Sequence, residues 1–250
     1  MIRGSAWMTA GSVFSRILGA IYVIPWRIWL GAAFLTANAL FTKGYQIYSL
    51  FLIISTAGVP GAVSKQVARY NAMGEYKTGM RLFYHGTFAM VLMGIVSCGA
   101  MWLLSPLLAA GDARMIPVFR SLAWPLLLIP SLSLIRGFFQ GYNEMAPSAI
   151  SQFIEQVARI LYMLVMTYAI MVAGNHSYLS AVIHSTFAAF IGAVFGLGLL
   201  VVYFLRQKPR LDALVAQSAN SLQISVNEIL LDVARQAIPF ILSLIHISEP

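Results

Sequence analysis

The sequence contains three long runs without a single Asp, Glu, Lys or Arg, at residues 44–64, 82–111 and 160–205. Each run is long enough for a helix to cross the hydrocarbon core of a bilayer, which takes about 20 residues. Of the 250 residues, 60% are hydrophobic and only 10% are charged, whereas a soluble domain has about a quarter charged residues. The chain is therefore predicted to be an all-α polytopic membrane protein without a sizeable soluble domain.

Hydropathy and the polar breaks between apolar runs predict six membrane spans and the start of a seventh. The six spans cover approximately residues 5–26, 45–64, 82–108, 115–135, 146–172 and 179–205. We therefore divide the chain into a six-helix lobe at 1–205, a linker at 206–235 and the truncated start of a seventh span at 236–250. The linker has apolar residues at helical spacing, which is typical of an amphipathic helix at the cytoplasmic membrane surface.

The 16 Lys and Arg residues are distributed unevenly over the two sides of this topology. With the N-terminus inside, the inner side holds Arg3, Lys65, Arg69, Lys77, Arg81, Arg136, Arg206, Lys208, Arg210 and Arg235. The outer side holds Arg27, Lys43 and Arg114. Because basic residues accumulate in cytoplasmic loops, this bias predicts a cytoplasmic N-terminus. It also explains most of the net charge of +8 without a nucleic-acid partner.

Two spans contain residues that weaken a helix. The second span contains Gly58, Pro60 and Gly61, and the fourth contains Pro125 and Pro130. Such breaks are tolerated inside a membrane where protein or a water-filled cavity satisfies the freed backbone groups. The pattern therefore predicts bends in these two spans.

The strongest polar signal lies in the fifth span, where Gln152, Glu155, Gln156 and Arg159 follow one another at i, i+3, i+4 and i+7. This spacing puts all four side chains on one helical face. A charged residue at the bilayer centre costs about 2.5–3.5 kcal/mol, so such a face normally lines a bundle interior or a wet cavity. Glu155 precedes Arg159 by four residues, the order that favours an ion pair within the helix. An ion pair that joins helices is the structural alternative.

Two further arginines are candidates for the same cavity. Arg16 lies about eleven residues into the first span, too deep for its head group to reach either surface easily. A guanidinium held there suits phosphate, which it can grip with two parallel hydrogen bonds. Arg136 opens the cytoplasmic turn before the fifth span and could lie at the cavity mouth. Arg120, nearer the outer end of its span, fits a surface anchor better.

The residues do not point to an enzyme or to a cofactor. The four histidines have no metal-ligand spacing, and the sequence contains neither a phosphate-binding loop nor a nucleophile motif. The single cysteine, Cys98, excludes a disulfide framework and a paired-cysteine metal site. We therefore expect a non-enzymatic membrane protein without a bound metal.

Three segments resemble a known family: GSAWMTAGSVFSRILGAIYVIPW at 4–26, STAGVPGAVSK at 55–65 and RGFFQGYNEMAPSAISQFIEQVARI at 136–160. They are similar to the N-terminal half of bacterial polysaccharide-biosynthesis membrane proteins, the branch with MurJ-type lipid II flippases and stage V sporulation protein B. This branch belongs to the multidrug/oligosaccharidyl-lipid/polysaccharide exporter superfamily. The resemblance implies a fourteen-helix transporter of the bacterial cytoplasmic membrane with a central cationic cavity for a lipid-linked pyrophosphate sugar.

The resemblance also implies roles for single residues. Arg16 matches the first-span arginine of the family, whereas Tyr22 stands where characterised flippases carry a second arginine. Arg16 and Arg159, with Arg136, would hold the pyrophosphate, and the amides of Gln152 and Gln156 would contact sugar or peptide groups. Glu155 would orient Arg159 or couple transport to an ion. The partners implied are a lipid-linked oligosaccharide or a substrate like lipid II, membrane lipid, and a C-terminal lobe of the same protein.

Two other functions fit parts of the pattern. A multidrug or cation antiporter of the same fold would need a deep acidic residue without a neighbouring arginine, and Glu155 has Arg159 beside it. A non-transporting membrane assembly protein would fill the polar face with helix partners. Finally, the tail at 241–250 departs from the expected seventh span and resembles sequencing-adaptor read-through, so we expect a longer open reading frame.

Overall fold

The computed structural model describes residues 13, 19, 22–56, 58–174 and 176–218. From residue 22 onward, this described part contains seven α-helices and one 3-10 turn, and no strand. The helices are α1 Val23–Leu30, α2 Phe34–Thr56, α3 Val59–Ala72, α4 Tyr76–Leu108, α5 Met115–Gly141, α6 Met145–Met171 and α7 Tyr178–Ala216, with the 3-10 turn Gly31–Ala33 between α1 and α2.

Five helical segments in the described residues are long and apolar enough to cross a membrane. One of them, Val23–Ala72, comprises α1 to α3, and the other four are α4, α5, α6 and α7. The predicted all-α membrane bundle is therefore confirmed. Most of the first predicted span, including Arg16, and the predicted seventh span lie outside the described residues.

The second span begins earlier than predicted. Helix α2 starts at Phe34 rather than near residue 45, directly after the 3-10 turn, in which Gly31 has a φ of 51°. Lys43, predicted to lie in an outer loop, is an exposed residue inside α2. A lysine can occupy such a position because its apolar stem packs along the helix while its ammonium group extends toward water.

The predicted interruption of the second span is present at Gly58. This residue has a φ of 71°, a left-handed conformation that glycine adopts without steric cost, and it caps the start of α3. Pro60 follows in the first turn of α3, where its missing N–H has no helical partner to lose. Helices α2 and α3 are therefore separate helices, with α3 starting after Gly58.

Helix α5 is the central helix of the described bundle. It packs against α2, α3, α4, α6 and α7, and most of its residues are buried. It continues through Pro125 and Pro130 without ending, although each proline removes one backbone hydrogen bond. One apolar cluster surrounds its first half, around Phe119 and Leu122, and a second surrounds its last half, around Phe138 and Phe139.

Helix α7 crosses the predicted boundary at 205/206 without a break and ends at Ala216. The Ser177 side chain accepts a hydrogen bond from the Ser180 backbone N–H and caps the start of the helix. The first eleven residues of the predicted linker are thus a continuation of the last membrane helix, and residues 219–235 lie outside the described part. The division into lobe and linker stays a prediction.

The turn between α4 and α5 is held by an exposed ion pair. Arg114 Nε lies 2.9 Å from Asp112 Oδ1, and the Arg114 backbone N–H donates to the same oxygen. The hydrogen bonds from Arg114 lower the pKa of Asp112. Because both side chains are in contact with solvent, the ion pair contributes little to the stability of the fold. Its effect is on the local conformation of the turn.

A close backbone contact holds α3 against α5 at Gly137. A Cβ atom at this position would lie 2.5 Å from the Pro60 carbonyl oxygen and 2.8 Å from its Cα, so the rigid backbone would have to move. We expect Gly137→Ala to lower the free energy of unfolding by about 1–3 kcal/mol, the usual cost of overpacking. Thermal unfolding in detergent would measure this loss.

Gly99→Ala in α4 is the matched control for this prediction. A Cβ at Gly99 would meet no atom within 4 Å, so alanine there should be neutral or slightly stabilising through its higher helix propensity. Equal melting temperatures for the two variants would contradict the close packing of α3 on α5.

Candidate functional site

Helix α6 carries the polar face that the sequence predicts. Arg159 is 14 residues from Met145 and 12 from Met171, the two ends of α6, or about 21 and 18 Å along the helix axis. Arg159 therefore lies near the middle of a helix that is long and apolar enough to cross a membrane. Arg159 and its neighbours Gln152, Glu155 and Gln156 are all half-buried.

The side chain of Arg159 lines a cavity of about 220 Å³, which we call the Arg159 cavity. The cavity lies between the start of α1, α2, α6 and α7. Its lining residues are Tyr22, Phe41, Tyr45, Arg159, Ile160, Met163 and Ser185. One cation, two phenols and one hydroxyl are thus combined with apolar walls. All of these polar groups can donate a hydrogen bond.

The guanidinium of Arg159 is hydrogen-bonded to an uncharged side chain. Its Nη2 donates to Gln156 Oε1 over 2.6 Å. Among the described residues, no carboxylate lies within ion-pairing distance of Arg159. The predicted ion pair between Glu155 and Arg159 is therefore wrong. The amide of Gln156 orients the cation and leaves its positive charge in place.

Glu155 instead forms an ion pair across two helices. Arg136 Nη2 on α5 donates to Glu155 Oε2 over 2.7 Å, and Arg136 Nε donates to Ser151 Oγ over 2.8 Å. Ser148 Oγ donates to the Arg136 carbonyl and adds a further link between α5 and α6. The side chains of Arg136 and Glu155 are only 12% and 20% exposed. This geometry matches the interhelical alternative rather than an arginine facing an open cavity mouth.

Two glycines of α7 lie against Glu155 of this ion pair. A Cβ at Gly192 would lie 2.6 Å from the Glu155 carbonyl oxygen, and a Cβ at Gly196 would lie 3.5 Å from Glu155 Oε2. Larger residues at these positions would push α7 away from α6. The ion pair is therefore enclosed by three helices, which restricts its movement.

The remaining predicted site residues are placed as follows. Gln156 lies near Gly19, because a Cβ at Gly19 would be 3.9 Å from Gln156 Nε2. Gln152 lies one turn before Gln156 on the same face of α6. Arg16 lies outside the described residues, so its predicted role stays a prediction. Arg120 is exposed; its guanidinium lies 5.4 Å from the centre of the Trp102 ring and Nε donates to Ser105, a geometry that suits an anchor.

The family resemblance pointed to position 22, but nothing in the sequence pointed to Tyr45 or Ser185 as cavity residues. Tyr22, Tyr45 and Ser185 come from three different segments and have no spacing that connects them. Ser185 Oγ also accepts a hydrogen bond from Trp26 Nε1 and lies 3.3 Å from Thr167 Oγ1. These contacts fix α1, α6 and α7 around the cavity. A motif search along the chain has no signal for such a set.

A second polar contact lies one turn from Arg159. The Tyr162 hydroxyl and His184 Nδ1 are 3.0 Å apart between α6 and α7. The contact links the two helices through their side chains. Within the described ranges, no three His, Cys, Asp or Glu side chains form a group that could hold a metal ion.

Comparisons with known proteins agree with this architecture. A family model described as polysaccharide biosynthesis protein matches residues 1–249. The chain is 36% identical over 252 residues to the lipid II flippase MurJ of Bacillus subtilis. This alignment covers 96% of the present chain and 46% of the flippase. It is 26% identical over 189 residues to stage V sporulation protein B of the same organism, covering 72% and 36% of the two chains.

A solved structure has a similar fold. A MOP superfamily transporter from Pyrococcus furiosus matches 96% of this chain with a TM-score of 0.67 and 17% identity, and 52% of that chain is covered. The chain thus spans about half the length, or less, of these relatives. The Bacillus subtilis relative is named a flippase and not an enzyme, in agreement with the prediction of a non-enzymatic protein. The resemblance seen in the sequence is confirmed, and this multi-pass membrane protein belongs to the polysaccharide biosynthesis protein family.

Proposed function

We propose that the chain forms the N-terminal lobe of a flippase that moves a lipid-linked cell-wall or polysaccharide precursor across the cytoplasmic membrane. The relative in Bacillus subtilis that is named a lipid II flippase supports this class of substrate. The chain spans 46% of that relative, so transport by the whole protein would require a second lobe. Alternating access would then arise from rocking of two lobes around a site at the midplane.

The observation that carries the proposal is the charge of Arg159. Of the three charged side chains on the facing parts of α5 and α6, Arg136 and Glu155 neutralise each other, and Arg159 leaves a charge of +1. A cation without a counter-ion near the bilayer centre is costly unless a ligand or water compensates it. A guanidinium beside phenols and a hydroxyl suits a phosphate group, because all of them donate hydrogen bonds to oxygen.

The size of the Arg159 cavity limits what can bind there. About 220 Å³ corresponds to roughly seven water molecules, which is room for a pyrophosphate but not for a sugar-linked head group. We therefore place the pyrophosphate at Arg159 and the sugar outside this cavity, toward Gln152 and Gln156. Arg16 is the proposed second cation, on sequence grounds. In this proposal, Arg136 and Glu155 position α6 and do not contact the substrate.

The charge distribution supports an N-terminus inside the cell. Ser218 Oγ, just after α7, donates to the Gly74 carbonyl between α3 and α4, and Arg210 pairs with Glu144 between α5 and α6. These contacts place two segments rich in basic residues, 65–81 and 206–210, at the same end of the bundle as the turn between α5 and α6. Because basic loops stay in the cytoplasm, that end is the proposed cytoplasmic face. An ion gradient or the membrane potential would drive transport, since the sequence has no nucleotide-binding motif.

Ligand selectivity of the purified chain tests this proposal. We expect undecaprenyl pyrophosphate to bind roughly tenfold or more tightly than undecaprenol, because the pyrophosphate adds charge-assisted hydrogen bonds to Arg159. Native mass spectrometry or fluorescence competition in detergent would measure both affinities. The cation tetraphenylphosphonium is the control ligand. Stronger binding of this cation than of the pyrophosphate would contradict the proposal and favour a cation antiporter.

A further inference from the structure

A second concave surface lies on the outside of the bundle, between α6 and α7. This groove has a volume of about 630 Å³, and its walls are almost entirely apolar. We call it the α6/α7 groove. Its lining includes Ile150, Ile154, Val194, Gly198, Val202 and Arg206. Ile150, Val194 and Val202 are 40%, 42% and 51% exposed, so the described protein leaves the groove open.

Gly198 creates the space in this groove. A Cβ built on Gly198 meets no atom within 4 Å, whereas a Cβ on Gly196, two residues earlier, would contact α6. Gly196 thus allows α7 to approach α6, and Gly198 leaves a hollow on the lipid side of α7. A methyl group at position 198 would extend into this space without contacting protein atoms within 4 Å.

The groove has a positive charge at one end. Arg206 lies at its cytoplasmic end in the proposed orientation and is exposed. The neighbouring carboxylate, Glu144, already accepts hydrogen bonds from Tyr203 and Arg210. In the described part of the chain, Arg206 forms no ion pair with a carboxylate. Its guanidinium is therefore available to an anion at the membrane surface.

The length of the groove matches one leaflet of the bilayer. From Val194 to Arg206 the helix rises about 18 Å, and half of the hydrocarbon core is about 15 Å thick. An acyl chain in the groove would therefore end near the midplane while its head group reached Arg206. Ile154 and Arg159 are about 140° apart around α6, so this groove faces away from the Arg159 cavity.

From this geometry we propose that the α6/α7 groove binds an acidic phospholipid. One acyl chain lies along Ile154, Gly198 and Val202, and the phosphate of the head group accepts hydrogen bonds from Arg206. The occupant is a membrane lipid that stays in the cytoplasmic leaflet, and it is distinct from the transported precursor. By covering the seam between α6 and α7, the lipid would hold the two helices together beside the Arg136–Glu155 ion pair.

Lipid binding by the purified 250-residue chain tests this site. The chain in detergent is titrated with phosphatidylglycerol or with phosphatidylcholine, and bound lipids are counted by native mass spectrometry. We expect about fivefold tighter binding of the acidic lipid, the preference that one basic residue near the surface provides. Arg206→Gln should remove this preference, and Gly198→Leu should reduce the binding of both lipids at this site.

Matched variants separate the groove from general effects. Gly99→Leu adds the same side chain at another open position of a membrane helix, and Arg69→Gln removes another exposed cytoplasmic charge; neither should change binding. Val202→Trp fills the groove from a second position if Gly198→Leu fails to fold. Equal binding of both lipids, or unchanged binding in folded Gly198→Leu and Val202→Trp, would overturn the proposal. A second copy of the chain on the groove, seen as a dimer that excludes lipid, would also overturn it.

Discussion

Replacing Arg159 by alanine is expected to weaken binding of undecaprenyl pyrophosphate by about 10- to 150-fold. A hydrogen bond to a charged group contributes about 1.5–3 kcal/mol, and each 1.4 kcal/mol changes an affinity about tenfold. The loss should be large because no other described cation lines the Arg159 cavity. Titration of the purified variant, followed by the same competition assay as for the wild-type chain, gives the fold change.

Three control variants sharpen this experiment. Arg159→Lys keeps the charge but loses the planar fork, so it should retain part of the affinity. Tyr45→Phe removes one hydroxyl from the cavity wall and should cost less than the loss of the charge. Arg120→Ala removes an exposed arginine outside the cavity and should leave the affinity unchanged. Equal losses in Arg120→Ala and Arg159→Ala would show that only the overall charge matters.

The sequence could predict which face of α6 is polar but not which side chains meet on it. The i, i+3, i+4, i+7 spacing of polar residues in α6 is a property of one helix, so the pattern reveals it. The partner of Glu155 depends on α5, which brings Arg136 within 2.7 Å, and on Gly192 of α7, which allows the close approach. Local spacing favoured Arg159 as the partner, and packing between helices decided otherwise.

Helix boundaries show the same limit. Hydropathy and the polar breaks between apolar stretches located the helices from α4 to α7, because apolar length is what a bilayer requires. At α2, Lys43 was assigned to an outer loop, although this residue lies inside the helix. A helix end is set by the local backbone, here the turn at Gly31, and one polar residue has little influence on it.

The largest stability effect is expected from breaking the Arg136–Glu155 ion pair. Glu155→Leu leaves Arg136 enclosed among α5, α6 and α7 without a counter-ion, and removing one partner of a buried pair costs about 3 kcal/mol or more. The variant should therefore unfold at a clearly lower temperature in detergent. The double variant Arg136→Met with Glu155→Leu should recover most of the stability, because it removes both charges together.

The pair between Arg210 and Glu144 is the matched control for this prediction. Its arginine side chain is 62% exposed, so Arg210→Met should cost less than about 1 kcal/mol. A ligand-binding assay shows whether the role of Glu155 is only structural. Because Glu155→Leu frees the charge of Arg136, the affinity of the folded variant for undecaprenyl pyrophosphate should not fall. A Glu155→Leu chain as stable as the wild type, with lost pyrophosphate binding, would instead make Glu155 part of the substrate site. Such a result would return this carboxylate to the role that its position beside Arg159 in the sequence suggests.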